Sequence, residues 1–259
     1  MGAARSQGPL WGTRARDWAE VQEGFTVPLY VAILDQTGAG DGTSVLDIGC
    51  GSGIFCELAS RRGAQVSGID AAEALLAIAR ARVTDADFRT GEMEELPYRE
   101  RTFDLVTGFS SFQFAAHPVK ALREAARVSR SGMVAIAVFG RREGNQSAAY
   151  IAAVGSLLPQ PPPGAPGPYA LSADGALEAM ARAAGMIPGA VETVPCPWWY
   201  PDEETALRGL LSSGPAIRAI EHAGERAVRD VVLNVIAPFR TGTGGYHIDN
   251  SFRYLIARA

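Results

Sequence analysis

The sequence predicts an α/β protein built on an open, doubly wound sheet. Between about residues 40 and 140, short apolar segments alternate with helical patterns, and this alternation is typical of βαβ units around a parallel sheet. The apolar segments are continuous, as expected of strands that are covered on both faces. We therefore expect five strands in this part of the chain, at 44–49, 64–70, 86–91, 102–109 and 132–140.

Helices are expected before the first strand and between the others. Apolar residues at three- to four-residue spacing predict one helix over 11–34. The same pattern predicts helices over 54–63, 71–83 and 118–128. Pro118 marks the start of the last of these helices, because proline fits the first turn of a helix.

The pattern changes after residue 140. The proline-rich segment 159–168 has the composition of a lid or a stiff linker. The residues at 141–170 and 201–244 are more than a sheet needs, and we expect them to form a helical cap over the carboxyl ends of the strands, where open α/β sheets bind ligands. Four helices are predicted in this half, at 147–158, 173–185, 202–213 and 224–239, and two strands, at 189–200 and 245–259.

The composition narrows the classes of protein. The 259 residues are 47% hydrophobic and 20% charged, with a net charge of −4. This balance allows a globular core and disfavours a nucleic-acid partner, which needs a basic surface. No apolar stretch approaches a membrane span or a signal peptide. Three cysteines without paired spacing indicate neither a disulfide framework nor a metal site, so we expect a cytoplasmic protein with no membrane partner.

The segment "VLDIGCGSG" carries the main functional signal. Gly49, Gly51 and Gly53 follow the first strand at alternate positions, where they allow a tight turn. A dinucleotide fingerprint needs a third small residue where Ile54 stands. Asp47 would repel a pyrophosphate, whereas it suits a positively charged cofactor. S-adenosylmethionine carries a sulfonium and an ammonium group and no phosphate, so it fits this loop.

Asp70 adds a second signal at the end of the second strand. A carboxylate at this position can accept hydrogen bonds from both hydroxyls of a ribose. NAD would use the residue in the same way, so Asp70 alone does not distinguish the two cofactors. Its alternative role is to cap the helix that follows.

Four segments together resemble class I S-adenosylmethionine-dependent methyltransferases, in the small-molecule branch typified by ubiquinone and menaquinone biosynthesis (methyltransferase type 11). The resemblance covers residues 10–140. It implies a Rossmann-like sheet of seven strands in the order 3-2-1-4-5-7-6, with the last strand antiparallel. The segments are "VLDIGCGSG", "VSGIDAAEALLAIAR", "DFRTGEMEELPYRERTFDLVTGFSSFQF" and "ALREAARVSRSGMVAIAVFG".

The resemblance also implies how the chain is divided and where the methionine end of the cofactor binds. It divides the chain into an N-terminal helical lid (1–36), a cofactor-binding core (37–140) and the rest of the sheet with the cap (141–259). Trp18 lies in the lid, where it either closes over the cofactor or packs in the core. The residues assigned to the methionine end are Asp47, Gly49, Cys50, Gly51 and Gly53, together with Phe109 and Ser110 after the fourth strand.

The adenosine end is assigned by the same resemblance. Asp70 would bind the ribose hydroxyls, with Ala71 beside it, and Glu92 and Met93 would flank the adenine. The expected reaction is methyl transfer to an oxygen, nitrogen or carbon centre of a small-molecule metabolite, with S-adenosylhomocysteine as the product. Two alternatives stay open: a cofactor-binding relative with a non-methylating or structural role, and a nicotinamide-dependent oxidoreductase.

The methyl acceptor has the weakest sequence signal. An oxygen acceptor usually needs a base, and the candidates are His117, which follows the fourth strand, and His247, which has Asp249 on the same face of the last strand. His117 could equally cap a helix, and His247 could be an edge-strand surface residue. The aromatic residues at 198–200 either line a planar substrate or pack the cap. The sequence leaves monomer and dimer open.

Overall fold

The computed structural model describes residues 2–159 and 169–259. Seven of its strands form one sheet in the order β3-β2-β1-β4-β5-β9-β6, and β7 and β8 form a separate two-stranded ribbon. The strands are β1 (Ser44–Ile48), β2 (Gln65–Asp70), β3 (Asp87–Thr90), β4 (Leu105–Phe109), β5 (Val134–Phe139), β6 (Ile187–Pro195), β7 (Trp198–Tyr200), β8 (Tyr246–Ile248) and β9 (Ser251–Arg258).

The sheet confirms the predicted fold class. Strands β1 to β5 run parallel to one another. Strand β9, the seventh strand of the sheet along the chain, is antiparallel to both β5 and β6. The register places Asp47 of β1 beside Thr107 of β4. The carboxyl ends of β1, β2 and β4 therefore meet at one edge, where the glycine loop begins.

Helices cover both faces of the sheet. On β1, Val45 packs in the cluster that contains α3, α4 and α5, and Leu46 packs in the cluster that contains α6 and α8. This explains why the strand is continuously apolar. The helices are α1 (Ala4–Gly12), α2 (Ala15–Asp17), α3 (Val27–Thr37), α4 (Ile54–Arg61), α5 (Glu73–Arg82), α6 (Pro118–Val128), α7 (Ser147–Ser156), α8 (Ala176–Ala183), α9 (Glu203–Leu210), α10 (Gly214–Ala223) and α11 (Glu225–Ile236).

A third hydrophobic cluster forms the helical cap. It joins α7, α9, α10 and α11 to the inward side of the ribbon, and Phe139 at the carboxyl end of β5 packs against it. Trp198 and Tyr200 are buried here, so these two aromatic side chains pack the cap. The division of the chain at residues 36 and 140 stays a prediction. The segment 160–168, which holds most of the predicted lid or linker, lies outside the described residues.

The prediction of one helix over 11–34 is wrong. The chain instead forms α1, α2, a π-helical turn (Trp18–Gln22), a 3-10 turn (Glu23–Thr26) and α3. Pro28 explains the last break, because proline has no N–H to donate and is tolerated only in the first turn, where α3 places it. The irregular turns direct the Glu23 side chain onto the glycine loop.

Two predicted strands are each divided, and one helix was missed. Pairing of β6 with β9 ends at Pro195 and Ser251, and pairing of β7 with β8 ends at Trp198 and Ile248. Both segments of the chain therefore leave the sheet together and pair again as the ribbon. Helix α10 begins after Ser213, whose side chain accepts the Ala216 N–H, a capping signal that the sequence analysis overlooked.

Candidate functional site

The glycine loop connects β1 to α4 and requires its glycines. Gly49, Gly51 and Gly53 have φ angles of 74°, 54° and 81°, in the left-handed region that side chains disfavour. A Cβ atom at Gly49 would lie 2.5 Å from Cβ of Ser111, and one at Gly53 would lie 2.8 Å from Cβ of Ala79. The loop is therefore packed between the end of β4 and helix α5.

Every backbone N–H of the loop already has an acceptor within the protein. Two of these acceptors are carboxylates. Loops that bind phosphate groups leave their amides free to donate to the phosphate oxygens, so this loop presents a different chemistry. The bonds run from Gly49 and Cys50 to Ile69 O (2.7 and 3.2 Å), from Gly51 to Asp70 Oδ2 (2.9 Å), from Ser52 to Glu23 Oε1 (3.2 Å) and from Gly53 to Cys50 O (3.0 Å).

Asp47 lies buried on β1 below the loop, with 2% of its surface exposed. It accepts a 2.8 Å hydrogen bond from the hydroxyl of Thr107. Burial raises the pKa of Asp47 to about 8, the Thr107 bond opposes this shift, and the charges of Asp70 and Glu23 add to it. A cation at this position would stabilise the charged carboxylate, because opposite charges favour ionisation.

Asp70 lies at the carboxyl end of β2 and holds the loop from the other side. One oxygen accepts the Gly51 N–H at 2.9 Å, and the other accepts the Ala72 N–H at 2.8 Å. Each carboxylate oxygen has a second lone pair, so the group keeps the capacity to accept from a pair of hydroxyls. Burial raises the pKa of Asp70, and the backbone hydrogen bonds lower it.

Glu23 is a third carboxylate at the loop, which the sequence analysis missed. Only 3% of its surface is exposed, and it accepts hydrogen bonds from Ser52 and from Arg82. Burial raises the pKa of Glu23, and the hydrogen bonds from Ser52 and Arg82 lower it. No local motif marks Glu23, because its partners lie far along the chain.

Among the described residues, no group of three or more His, Cys, Asp or Glu could hold a metal ion.

The loop after β3 lies beneath the N-terminal helix. Glu92 accepts the Ala4 N–H at 2.9 Å, and Met93 packs against the cluster that contains α6 and α8. A Cβ atom at Gly8 would lie 2.3 Å from the carbonyl oxygen of Ala71. Helix α1 thus contacts both segments that were assigned to the adenosine end.

Two serines at the end of β4 have unpaired hydroxyls. Ser110 has a φ of 49°, which is unusual for a residue other than glycine and often marks a functional position. Its N–H donates to Ala137 O at 2.8 Å. The hydroxyls of Ser110 and Ser111 are buried and have no hydrogen-bond partner in the described part of the chain. Ser111 was not predicted as a site residue, and its contact with Gly49 is what places it at the loop.

The two aromatic site residues, Trp18 and Phe109, differ in their positions relative to the loop. The ring of Phe109 packs in the core against Tyr30 and Phe55, with ring centroids 4.5 and 4.6 Å apart. A Cβ atom at Gly51 would lie 3.7 Å from the indole nitrogen of Trp18. The structure therefore brings Trp18 to the loop, whereas the Phe109 side chain is part of the core.

The described contacts bring neither candidate histidine to the loop. His117 is exposed and precedes α6, and its backbone N–H donates to Glu94 at 2.8 Å. His247 stacks on Trp199 at 3.8 Å, and its Nε2 lies 3.3 Å from Asp249. Trp199 is 57% exposed and pairs with His247 across the ribbon, so both lie on its outward side. A catalytic role for either histidine stays a prediction.

Known sequences are similar to the core of this chain. The family model described as methyltransferase domain matches residues 46–137, from β1 to β5. A ubiquinone biosynthesis O-methyltransferase of Hahella chejuensis is 38% identical over 110 residues, which are 40% of this chain and 46% of that protein. One of Pseudomonas aeruginosa is 36% identical over 147 residues, 51% of this chain and 61% of that protein. The chain thus spans about half the length of the curated relatives it matches.

Solved structures share the whole fold. The YcgJ protein of Bacillus subtilis superposes with a TM-score of 0.59 at 16% identity, covering 88% of this chain and 97% of that chain. The [4+2]-cyclase SpnF superposes with a TM-score of 0.57 at 23% identity, covering 89% of this chain and 80% of that chain. At these identities the likeness concerns the fold, which continues well beyond residues 46–137.

Proposed function

We propose that this protein transfers the methyl group of S-adenosylmethionine to an oxygen, nitrogen or carbon centre of a small-molecule metabolite. The match of residues 46–137 to the methyltransferase domain model supports the proposal. The observation that carries the proposal is the hydrogen bonding of the glycine loop and the carboxylates around it. Its N–H groups are all bonded within the protein. Three carboxylates lie at the loop: Asp47 and Glu23, which are buried, and Asp70, which is half-buried.

These features favour a cationic cofactor over a dinucleotide. A pyrophosphate would find no free N–H in the loop, and its negative charge would oppose the ionisation of Asp47 and Asp70. A sulfonium or an ammonium group would instead gain from the same carboxylates. The loop therefore disfavours the alternative of a nicotinamide-dependent oxidoreductase.

The residues proposed to hold the cofactor are those that the family resemblance implies. The methionine end is assigned to Asp47, Gly49, Cys50, Gly51 and Gly53, with Ser110 and the Phe109 backbone at the end of β4. Asp70 and Ala71 would take the ribose, Glu92 and Met93 the adenine, and Trp18 would cover Gly51. When bound, S-adenosylmethionine supplies an electrophilic methyl carbon on its sulfonium, and S-adenosylhomocysteine is the product.

The protein's own contribution would be positioning and the exclusion of water. Methyl transfer needs the acceptor atom about 3 Å from the methyl carbon and in line with the breaking bond. The buried hydroxyls of Ser110 and Ser111 have no hydrogen-bond partner among the described residues, and Ser111 lies against Gly49 of the loop. Both hydroxyls would be available to orient a polar acceptor. The turn at Trp18–Gln22 lies over Gly51, and helix α1 lies over the segments after β2 and β3, so together they would shield the site from solvent.

An oxygen atom on a small metabolite is the acceptor we favour, since the similar proteins are named O-methyltransferases. His117 and His247 are the candidate bases.

A net charge of −4 makes a nucleic acid a poor partner. Among the described helices none is long and apolar enough to cross a membrane. Cys50, Cys56 and Cys196 are free and buried, which supports a reducing, cytoplasmic compartment.

A non-methylating role is the second candidate. The structural neighbour SpnF is a [4+2]-cyclase, so this fold also supports chemistry other than methyl transfer. The absence of an imidazole contact at the loop, within the described residues, favours this alternative.

Methyl transfer can be tested with isotopically labelled cofactor. The purified protein is incubated with S-adenosylmethionine, labelled in its methyl group, and a panel of hydroxylated and amino-substituted small molecules. We expect S-adenosylhomocysteine to accumulate only with an acceptor that gains the label. Binding of the cofactor without label transfer to any acceptor of the panel would favour the non-methylating role.

A further inference from the structure

Glu23 makes an unusually dense set of contacts for a carboxylate outside the sequence motifs. Its two oxygens accept the Ser52 backbone N–H at 3.2 Å, the Ser52 hydroxyl, and Nη1 of Arg82 at 2.8 Å. The side chain of Glu23 is 4% exposed and that of Arg82 is 22% exposed. The pair is therefore largely shielded from water.

Ser52 is the residue on which these contacts converge. Arg82 donates to the carbonyl oxygen of Ser52 at 3.0 Å and to its hydroxyl at 2.9 Å, while Glu23 holds the N–H. The preceding N–H, that of Gly51, is held by Asp70. Consecutive peptide groups of the glycine loop are thus fixed by carboxylates from two separate parts of the chain.

The same network attaches the N-terminal turn to the loop. Arg82 also donates to the carbonyl oxygen of Ala19 at 3.3 Å. A Cβ atom at Gly51 would lie 3.2 Å from Oε1 of Glu23 and 3.7 Å from Nε1 of Trp18. Glu23 and Trp18 therefore lie over Gly51 together, on the loop assigned to the methionine end of the cofactor.

A buried ion pair is a poor source of stability, because the cost of removing two charges from water offsets their attraction. The main consequence of the Glu23–Arg82 pair is geometric, because the pair holds Ser52 and the Ala19 carbonyl in one arrangement. We propose that Glu23, acting with Arg82 through Ser52, is a positioning residue that shapes the glycine loop for the amino-acid end of S-adenosylmethionine. This inference rests on the proposed function.

The test compares two ligands that differ only at that end. S-adenosylhomocysteine carries the amino-acid group, and 5′-methylthioadenosine has the same nucleoside and sulfur without it. Glu23→Gln keeps the size of the side chain and removes the charge opposite Arg82. By calorimetry we expect its Kd for S-adenosylhomocysteine to rise about tenfold or more, and its Kd for 5′-methylthioadenosine to change less than about twofold.

Two further variants separate positioning from general damage. Glu20→Gln is the matched control, because Glu20 lies in the same region, is exposed and pairs with Arg208 at the surface; neither Kd should change. Arg82→Lys keeps the charge and loses the guanidinium that reaches Glu23, Ser52 and Ala19 together, so it should reproduce the ligand difference. This variant also serves as the test if Glu23→Gln does not fold.

The outcomes distinguish this inference from the proposed function. An equal loss of affinity for both ligands in Glu23→Gln and Arg82→Lys would indicate a structural role and overturn the inference. Unchanged affinity for S-adenosylhomocysteine in both variants would also overturn it. Wild-type protein that binds neither compound would overturn the proposed function and this inference together.

Discussion

The backbone N–H of Gly51 donates a 2.9 Å hydrogen bond to the carboxylate of Asp70, so the end of β2 fixes the loop that follows β1. The other oxygen of Asp70 accepts the Ala72 N–H at 2.8 Å. One carboxylate therefore organises two neighbouring loops at the carboxyl edge of the sheet. The ribose site that we propose is built on this double contact.

Replacement of Asp70 should weaken the cofactor site. Asp70→Ala removes charge-assisted hydrogen bonds to the ribose and releases the Gly51 N–H. We expect the variant to bind S-adenosylhomocysteine less favourably by ~1.5–3 kcal/mol. Titration calorimetry measures the change. Asp87→Ala is the control, because Asp87 on β3 is an exposed partner of Arg89. An unchanged affinity in Asp70→Ala would withdraw the ribose assignment.

Asp47 should make the stability of the ligand-free protein depend on pH. Burial raises its pKa from 3.8 to about 8, so between these values the folded state holds a proton that the unfolded chain has released. The free energy of unfolding therefore decreases as pH rises through this window. We expect greater resistance to urea at about pH 5.5 than at about pH 8.

The variant Asp47→Asn isolates this effect, since it cannot ionise and can still accept the Thr107 hydrogen bond. We expect the difference in urea midpoint between the two pH values to shrink. Some dependence should persist, because burial also raises the pKa values of Glu23 and Asp70. The same pH dependence in wild type and Asp47→Asn would show that Asp47 ionises normally.

The unpaired hydroxyl of Ser111 should affect ligand binding more than stability. Ser111→Ala removes a buried polar group that has no partner among the described residues, so the free energy of unfolding should stay the same or rise, by up to ~1 kcal/mol. We expect a weaker affinity for S-adenosylhomocysteine or a lower rate with the acceptor. Thermal melting and calorimetry on one preparation measure both effects.

A second serine provides the contrast. Ser212 is fully buried, but its hydroxyl donates to Gly209 O at 2.6 Å. Ser212→Ala should therefore destabilise the fold by ~1 kcal/mol and leave the affinity unchanged. If Ser111→Ala destabilises the protein as much as Ser212→Ala, the Ser111 hydroxyl has a structural partner and our assignment is wrong.

The contact between Gly8 and Ala71 should be necessary for the docking of α1. Gly8→Val places a side chain where a Cβ atom would lie 2.3 Å from a carbonyl oxygen, and we expect a loss of ~1–3 kcal/mol in the free energy of unfolding. Gly12→Ala on the same helix meets Ala74 at an ordinary 3.6 Å, so it should be neutral or stabilising. Equal melting temperatures for the two variants would contradict the docked position of α1.

The features that sequence analysis found depend on local signals. The strand before Gly49, the glycines themselves and Asp70 at the next strand end follow from patterns within a few residues, and the structure places them together. Glu23, Arg82 and Ser111 could not be found in this way, because their roles arise from contacts between distant segments. Glu23 looks like an ordinary helical residue until the turns around it direct it inward.

The prediction errors have the same origin. The apolar spacing over 11–34 indicates a helix, but it does not show where Pro28 and the contacts with the loop interrupt it. The segments 189–200 and 245–259 read as single strands, but the apolar pattern does not show that both leave the sheet near Pro197 and Asn250 and pair again as the ribbon. The order of the strands across the sheet could be predicted because the family resemblance implied it.

The most direct test of the account is a parallel calorimetric titration of the wild-type protein with S-adenosylhomocysteine and NAD. The account predicts that S-adenosylhomocysteine binds and NAD does not, because the loop offers carboxylates and no free N–H group to a pyrophosphate. Binding of NAD, or of neither compound, would contradict the central claim that this loop is built for a cationic cofactor without phosphate.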